Sequence, residues 1–186
     1  MNQAGFLIKY IYCDHEFKPL MEKIGNELDV KMNYTSRDEH VPKTERNNCT
    51  ITEQIQARYY QLPYKVIPKL IPKYSTMVST YHLNLFLAKE KVLSYLSPHV
   101  IMGEHDLDYN KHCTIPFGAY VQAHQENDPT NTNALRTIYA IYLQPIKNAQ
   151  SGHELMNLAT GRLVICPTAT KLPVIDMVIK AAEKSS

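Results

Sequence analysis

Apolar and polar positions along this chain repeat with two periods, and the changes of period mark its elements. Residues 6–13, FLIKYIYC, are nearly continuous in apolar and β-favouring side chains. Such a run predicts a strand buried on both faces, as in a sheet covered by helices. Over residues 16–28, Phe17, Leu20, Met21, Ile24 and Leu28 fall at i, i+3, i+4, i+7 and i+11, an apolar stripe on one helix face. Pro19 is tolerated only in a first turn, so this helix starts near Asp14. Residues 30–35 then alternate, with Val30, Met32 and Tyr34 on one side, and read as a second strand. Strand, helix and strand make one βαβ unit with a right-handed crossover.

A charged loop over residues 36–43 leads into a helix predicted from about residue 42 to 62, with Pro42 at its start. Ile51, Ile55, Tyr59 and Leu62 form its buried stripe. Glu45 lies six residues before Ile51, about 600° of rotation at ~100° per residue, which turns it about 120° away from that stripe. Cys49, Thr52 and Gln56 share its exposed line. Residues 64–87 also read as helical, broken by Pro68 and Pro72. The expected result is a short turn and then a helix over 74–87, with Met77, Tyr81 and Leu85 on one face. Residues 94–110 hold Pro98 and Gly103 and little periodicity, and read as a connector. Four short strands follow, over 115–124, 137–143, 154–158 and 162–167. Thr160-Gly161 marks a tight hairpin between the last two. Short strands at this spacing suggest a small barrel, and residues 174–183 read as a terminal helix.

At 186 residues and 44% hydrophobic, the chain can bury a core as one domain or two small ones, which argues against wholesale disorder. The net charge of +2 points to no partner, but its distribution is uneven. Residues 36–91 carry 9 basic and 5 acidic side chains, and residues 92–135 carry 1 and 5. The basic block is either an ordinary solvated helix surface or a phosphate-facing patch. Cys13, Cys49, Cys113 and Cys166 include no CxxC pair, which argues against a zinc finger or disulfide framework and fits a reducing, intracellular compartment, cytoplasm or nucleus. The apolar run near the N-terminus is too short to span a membrane, contains Lys9 and is followed by no signal-peptide cleavage pattern.

Two carboxylates stand where metal-assisted chemistry could use them. Asp14 ends the first strand, at the sheet end where open α/β folds place ligands, and Glu45 occupies the open face of a helix. Phosphoryl transfer on nucleic acid commonly uses two Mg²⁺ ions, which take oxygen ligands and keep several waters. Such a pair also arises by chance in many α/β chains. His15 reads as a ligand or a surface histidine, and His112-Cys113 as half a metal site or plain surface. Lys43, Arg46 and Arg58 flank the acid-bearing face as phosphate contacts or as solubilising charge. The 13 tyrosines, Tyr59, Tyr60 and Tyr64 among them, read as core and rim rather than base-stacking platforms.

The ordered motifs resemble a known family. Asp14-His15-Glu16-Phe17 resembles the second-Asp motif of retroelement integrases. Pro42-Lys43-Thr44-Glu45-Arg46-Asn47-Asn48-Cys49-Thr50-Ile51 resembles the helix carrying their third acid. Leu83-Asn84-Leu85-Phe86 and Leu96-Ser97-Pro98 look like the segment after the core in copia-type retrotransposon polyproteins. Phe117-Gly118-Ala119-Tyr120-Val121 and Leu158-Ala159-Thr160-Gly161-Arg162 look like the SH3-like barrel that follows. The resemblance implies an α/β fold, with a partial RNase H-like integrase core over residues 1–90, a connector over 91–114, an SH3-like β-barrel over 115–173 and a C-terminal helix and tail over 174–186. It implies Mg²⁺ or Mn²⁺ held by Asp14 and Glu45, DNA as partner (element ends and target), room for a homo-oligomer, and DNA integration by polynucleotidyl transfer. The family's first Asp lies upstream of the strand that ends at Asp14, so this stretch is expected to be an inactive fragment on its own. Departures include His15 in place of a small residue and Cys49 where an Arg often stands. The rival expectations are a non-catalytic nucleic-acid-binding module, a decayed gene fragment, and a small metal-dependent nuclease lacking an evident general base.

Overall fold

The computed structural model describes residues 7–13, 17–28, 30–34, 42–86, 95–102, 109–125, 135–146 and 152–184. Its N-terminal part is the expected βαβ unit. Strand β1 (Tyr10–Cys13) runs parallel to β2 (Lys31–Tyr34), in register from Tyr10 against Lys31 to Cys13 against Tyr34, with helix α1 (Lys18–Leu28) between them. The expected burial of the first strand on both faces does not occur. Tyr10 and Tyr12 are 56% and 64% exposed, and Phe17 and Leu20 are exposed as well. A two-stranded sheet with one helix has too few neighbours to cover its own apolar side chains.

Helix α2 (Pro42–Gln61) starts on its proline as expected, because a first-turn residue needs no N–H for the helical ladder. Ile51, Ile55 and Tyr59 are half-buried, while Glu45, Cys49, Thr52 and Gln56 are exposed, which is the phase read from the sequence. Helix α3 (Leu70–Leu85) begins earlier than expected. Pro72 sits in its first turn rather than breaking it, where its missing N–H leaves no bond unmade. The buried stripe is Ile71, Tyr74, Val78, Tyr81 and Leu85. Its steps of three and four pass beside Met77, which is exposed rather than packed with Tyr81 and Leu85. Two short helices, α4 (Pro98–Ile101) and α5 (Tyr109–His112), lie in the connector, and α6 (Asp176–Glu183) closes the chain.

The C-terminal strands are β3 (Tyr120–His124), β4 (Thr137–Pro145), β5 (His153–Asn157), β6 (Leu163–Cys166) and β7 (Thr168–Lys171). They form one antiparallel sheet in the order β6-β5-β4-β3-β7. Strand β7, TATK, lacks an apolar alternation and was not anticipated. The two edge strands are joined by Pro167 alone. Flat, five strands would set the edges roughly 19 Å apart at ~4.8 Å per step, but a one-residue link reaches only about 7 Å. The sheet must therefore coil until its edges meet at that corner. A bulge in β4 between Tyr142 and Gln144 adds to the twist. No β6–β7 ladder forms among the described residues, so the expected barrel is a coiled open sheet.

Alternation along the strands gives the sheet two apolar faces. Tyr120, Ile141, Leu143 and Met156 pack with Tyr64, Ile71 and Tyr74 and with Val178 and Ala182 of α6. Val121, Ala123, Ala140, Tyr142, Leu155 and Cys166 form the other cluster. Residues 64–74 thus share one core with the sheet. Gly118 fastens the join. It has φ 78°, its N–H donates to the Tyr142 carbonyl at 2.8 Å, and its own carbonyl accepts from the Tyr64 hydroxyl at 3.0 Å. A Cβ there would overlap Leu62 Cδ2. The β5–β6 hairpin turns as expected at Gly161, φ 65°, with the Asn157 side chain accepting from the Ala159 N–H.

Candidate functional site

Cys13 ends β1 immediately before Asp14, but Asp14 and His15 lie outside the described residues, so their relation to Glu45 does not enter the geometry. Glu45 is exposed in the first turn of α2. Lys43 follows Pro42 in the same turn, and Arg46 is exposed just beyond Glu45. Two hydroxyls on this part of α2 are spent on the helix itself. Thr50 donates to the Arg46 carbonyl and Thr52 to the Asn48 carbonyl, each at 2.9 Å. Mg²⁺ or Mn²⁺ would accept this oxygen chemistry, but the donor set in view is one carboxylate. No group of three or more metal-ligating side chains gathers among the described residues. The described residues do not make a metal cage.

Arg58 is placed differently from the other two cations. It stands twelve residues beyond Arg46, about 18 Å along the helix and about 120° around it. Its guanidinium enters the α2–α3 interface, where Nε donates to Ser79 Oγ at 3.1 Å and Nη2 meets His82 Nδ1 at 2.9 Å. Arginine can only donate, so His82 Nδ1 accepts and the imidazole proton sits on Nε2. The Phe117 ring lies 6.0 Å from the guanidinium carbon. Burial pulls the Arg58 pKa down. Burial, then the charge of Arg58, lowers that of His82, which keeps the ring a neutral acceptor. Beside them, burial raises the pKa of Cys113.

Two cavities meet at this cluster. An outer cleft of about 290 Å³ is lined by Gln54, Ala57, Arg58, Gln61, His82 and Phe86. An inner one of about 170 Å³ runs from Arg58 and His82 past Cys113 and Phe117 to Tyr142. A larger groove of about 460 Å³ between α6 and the sheet is walled by Tyr120, Ile138, Tyr139, Leu158 and Met177. It is the more spacious, but its described lining has no cation, imidazole or thiol, whereas the Arg58 clefts have all three.

Sequence reasoning singled out Arg58 and missed Ser79, His82 and Phe86. One pattern could have found them. Ser75, Ser79, His82 and Phe86 fall at i, i+4, i+7 and i+11, a mixed line running beside the apolar stripe of α3. Arg58 meets that line through tertiary packing across 21 and 24 residues, which no local period encodes. No protein-family model and no curated protein matches the chain.

Proposed function

We propose that residues 1–186 are a piece of a copia-type retrotransposon integrase, with part of an RNase H-like core followed by an SH3-like module that binds DNA. The observation that carries this reading is the parallel pairing of β1 with β2. Parallel strands end at the same side of a sheet. The chain leaves that side once into Asp14 and once towards α2, whose first turn bears the exposed Glu45. The parallel pairing supports the reading in which a strand-end acid and a helical acid share a catalytic face. The sheet order β6-β5-β4-β3-β7, a meander with its last strand returned beside its first, supports the SH3-like part. In this reading Lys43 and Arg46 steer the DNA backbone beside the acids, and Mg²⁺ or Mn²⁺ is the cofactor.

The stretch holds two of the family's three acids, so assayed as residues 1–186 it is inactive in strand transfer. The acid pair is tested without turnover. Mn²⁺ added to the labelled protein broadens the amide signals around residues 14 and 45 together, and Asp14→Asn or Glu45→Gln weakens both effects. Broadening at one site only, or at neither, would sink the pairing. Robust metal-dependent joining of DNA ends that Asp14→Asn abolishes would overturn the expected inactivity while retaining the lineage.

A further inference from the structure

The Arg58 cleft has the parts of a binding site that the acid pair does not use. Of the five N–H groups on its guanidinium, one goes to Ser79 and one to His82, leaving three donors with no hydrogen bond among the described residues. None of its hydrogen bonds is to a carboxylate. Among the described residues, none lining either cavity that it borders is acidic. Among the described residues this half-buried guanidinium is held by a hydroxyl and a neutral imidazole and meets no opposite charge, whereas buried charges are ordinarily paired. The other polar lining groups add donors: the Gln54 and Gln61 amides and His82 Nε2–H. At the mouth the character changes. Phe86 is 53% exposed, meets the His82 ring edge-on at 6.1 Å and stacks on Tyr109 at 6.0 Å and 24°, and Tyr109 is itself 49% exposed. An exposed, pre-stacked aromatic pair beside a fork of cationic donors matches a flat ring attached to an anion.

We propose that this cleft binds a nucleotide unit, with the phosphoryl group on Arg58, Gln61 and His82 and the base against Phe86 and Tyr109. Bidentate hydrogen bonding suits guanidinium to phosphoryl oxygens, and aromatic stacking accepts any base. The cleft volume of about 290 Å³ suits one nucleotide rather than a duplex. The site is independent of Asp14 and Glu45, so it stands or falls separately from the integrase reading.

The test titrates the intact chain with adenosine monophosphate, with a short single-stranded oligonucleotide and with inorganic phosphate, following the His82 ring and Arg58 side-chain resonances. Saturable shifts are expected at both residues. Phe86→Ala, an exposed change that leaves the fold intact, weakens nucleotide binding about tenfold and leaves inorganic phosphate unchanged. Gln61→Ala weakens all three ligands. Arg58→Lys keeps the charge but loses the fork, and binds more weakly than the parent while circular dichroism stays unchanged. An oligonucleotide that binds more tightly than the mononucleotide identifies a strand as the source, and the reverse identifies a free nucleotide; either supports the assignment. Binding of inorganic phosphate as tight as that of the nucleotide, insensitivity to Phe86→Ala, or no saturable shift at His82 would overturn it.

Discussion

Strands β1 and β4 share a Tyr- and Ile-rich run, YIYC in one and TIYAIYLQP in the other, yet they end in opposite environments. Residues Ala140 to Pro145 of β4 are all buried, whereas Tyr10 and Tyr12 of β1 face solvent. The cause is the number of neighbours. Strand β4 is flanked by β3 and β5, with helices over one face and the coiled sheet over the other, while β1 pairs with β2 alone among the described residues. Apolar composition makes a strand buriable; only the surrounding elements bury it. The two regions therefore differ in what a substitution can damage.

The largest expected effect is at the join of helices and sheet. Gly118→Ala combines a left-handed backbone with an overlap on Leu62. It should cost about 2–4 kcal/mol, read as a lower urea midpoint. If the midpoint hardly moves, the loop around Gly118 is softer than its hydrogen bonds imply.

Next is acidity. His82 has its pKa held below the ordinary 6.5 by burial and by Arg58, so the unfolded chain binds its proton more readily than the folded one. Its contribution to stability is present above about pH 6.5 and is lost as pH falls through the lowered value. The midpoint should drop more between pH 7.5 and 5 in the parent than in His82→Gln, which keeps an acceptor for Arg58 without titrating. Parallel pH curves for the two proteins would refute this.

A smaller effect of opposite sign is expected at Ser75. Its side chain is fully buried, and its hydroxyl has no hydrogen-bond partner among the described residues. Ser75→Ala removes an unsatisfied group and improves helix propensity, a gain of about 0.5–1 kcal/mol by chemical denaturation. A loss of stability would mean that the hydroxyl has a partner after all. The smallest effect is also the most direct probe of the comparison. Removing residues 1–41 should leave the melting of the helix-covered sheet nearly unchanged, and a collapse of that transition would show that the βαβ unit supports it.

Much of this organisation was legible in the hydrophobic pattern. The parallel unit, the phase of α2, four of the five C-terminal strands, the Gly161 hairpin and the terminal helix follow from periods of two and 3.6 and from turn residues. What escaped depended on tertiary context. Pro72 reads as a breaker unless the helix is known to start at Leu70. Strand β7 consists of Thr168, Ala169, Thr170 and Lys171, and it becomes a strand because β3 offers it an edge. Arg58 resembles Lys43 and Arg46 in sequence, and only packing turns it inward against Ser79 and His82. Glu45 was correctly read as exposed, while its proposed partner Asp14 lies outside the described residues.

The single-residue corner at Pro167 also sets an order of events during synthesis. Strand β3 must keep one edge open until the chain has been made through Lys171, because Val121 pairs with a residue fifty positions later. The three-strand meander from β3 to β5 can form as it emerges, but coiling is completed only by the last strand. Such a long-range closing contact slows folding. Until it is made, the nascent chain carries an unpaired strand edge of the kind that chaperones cover.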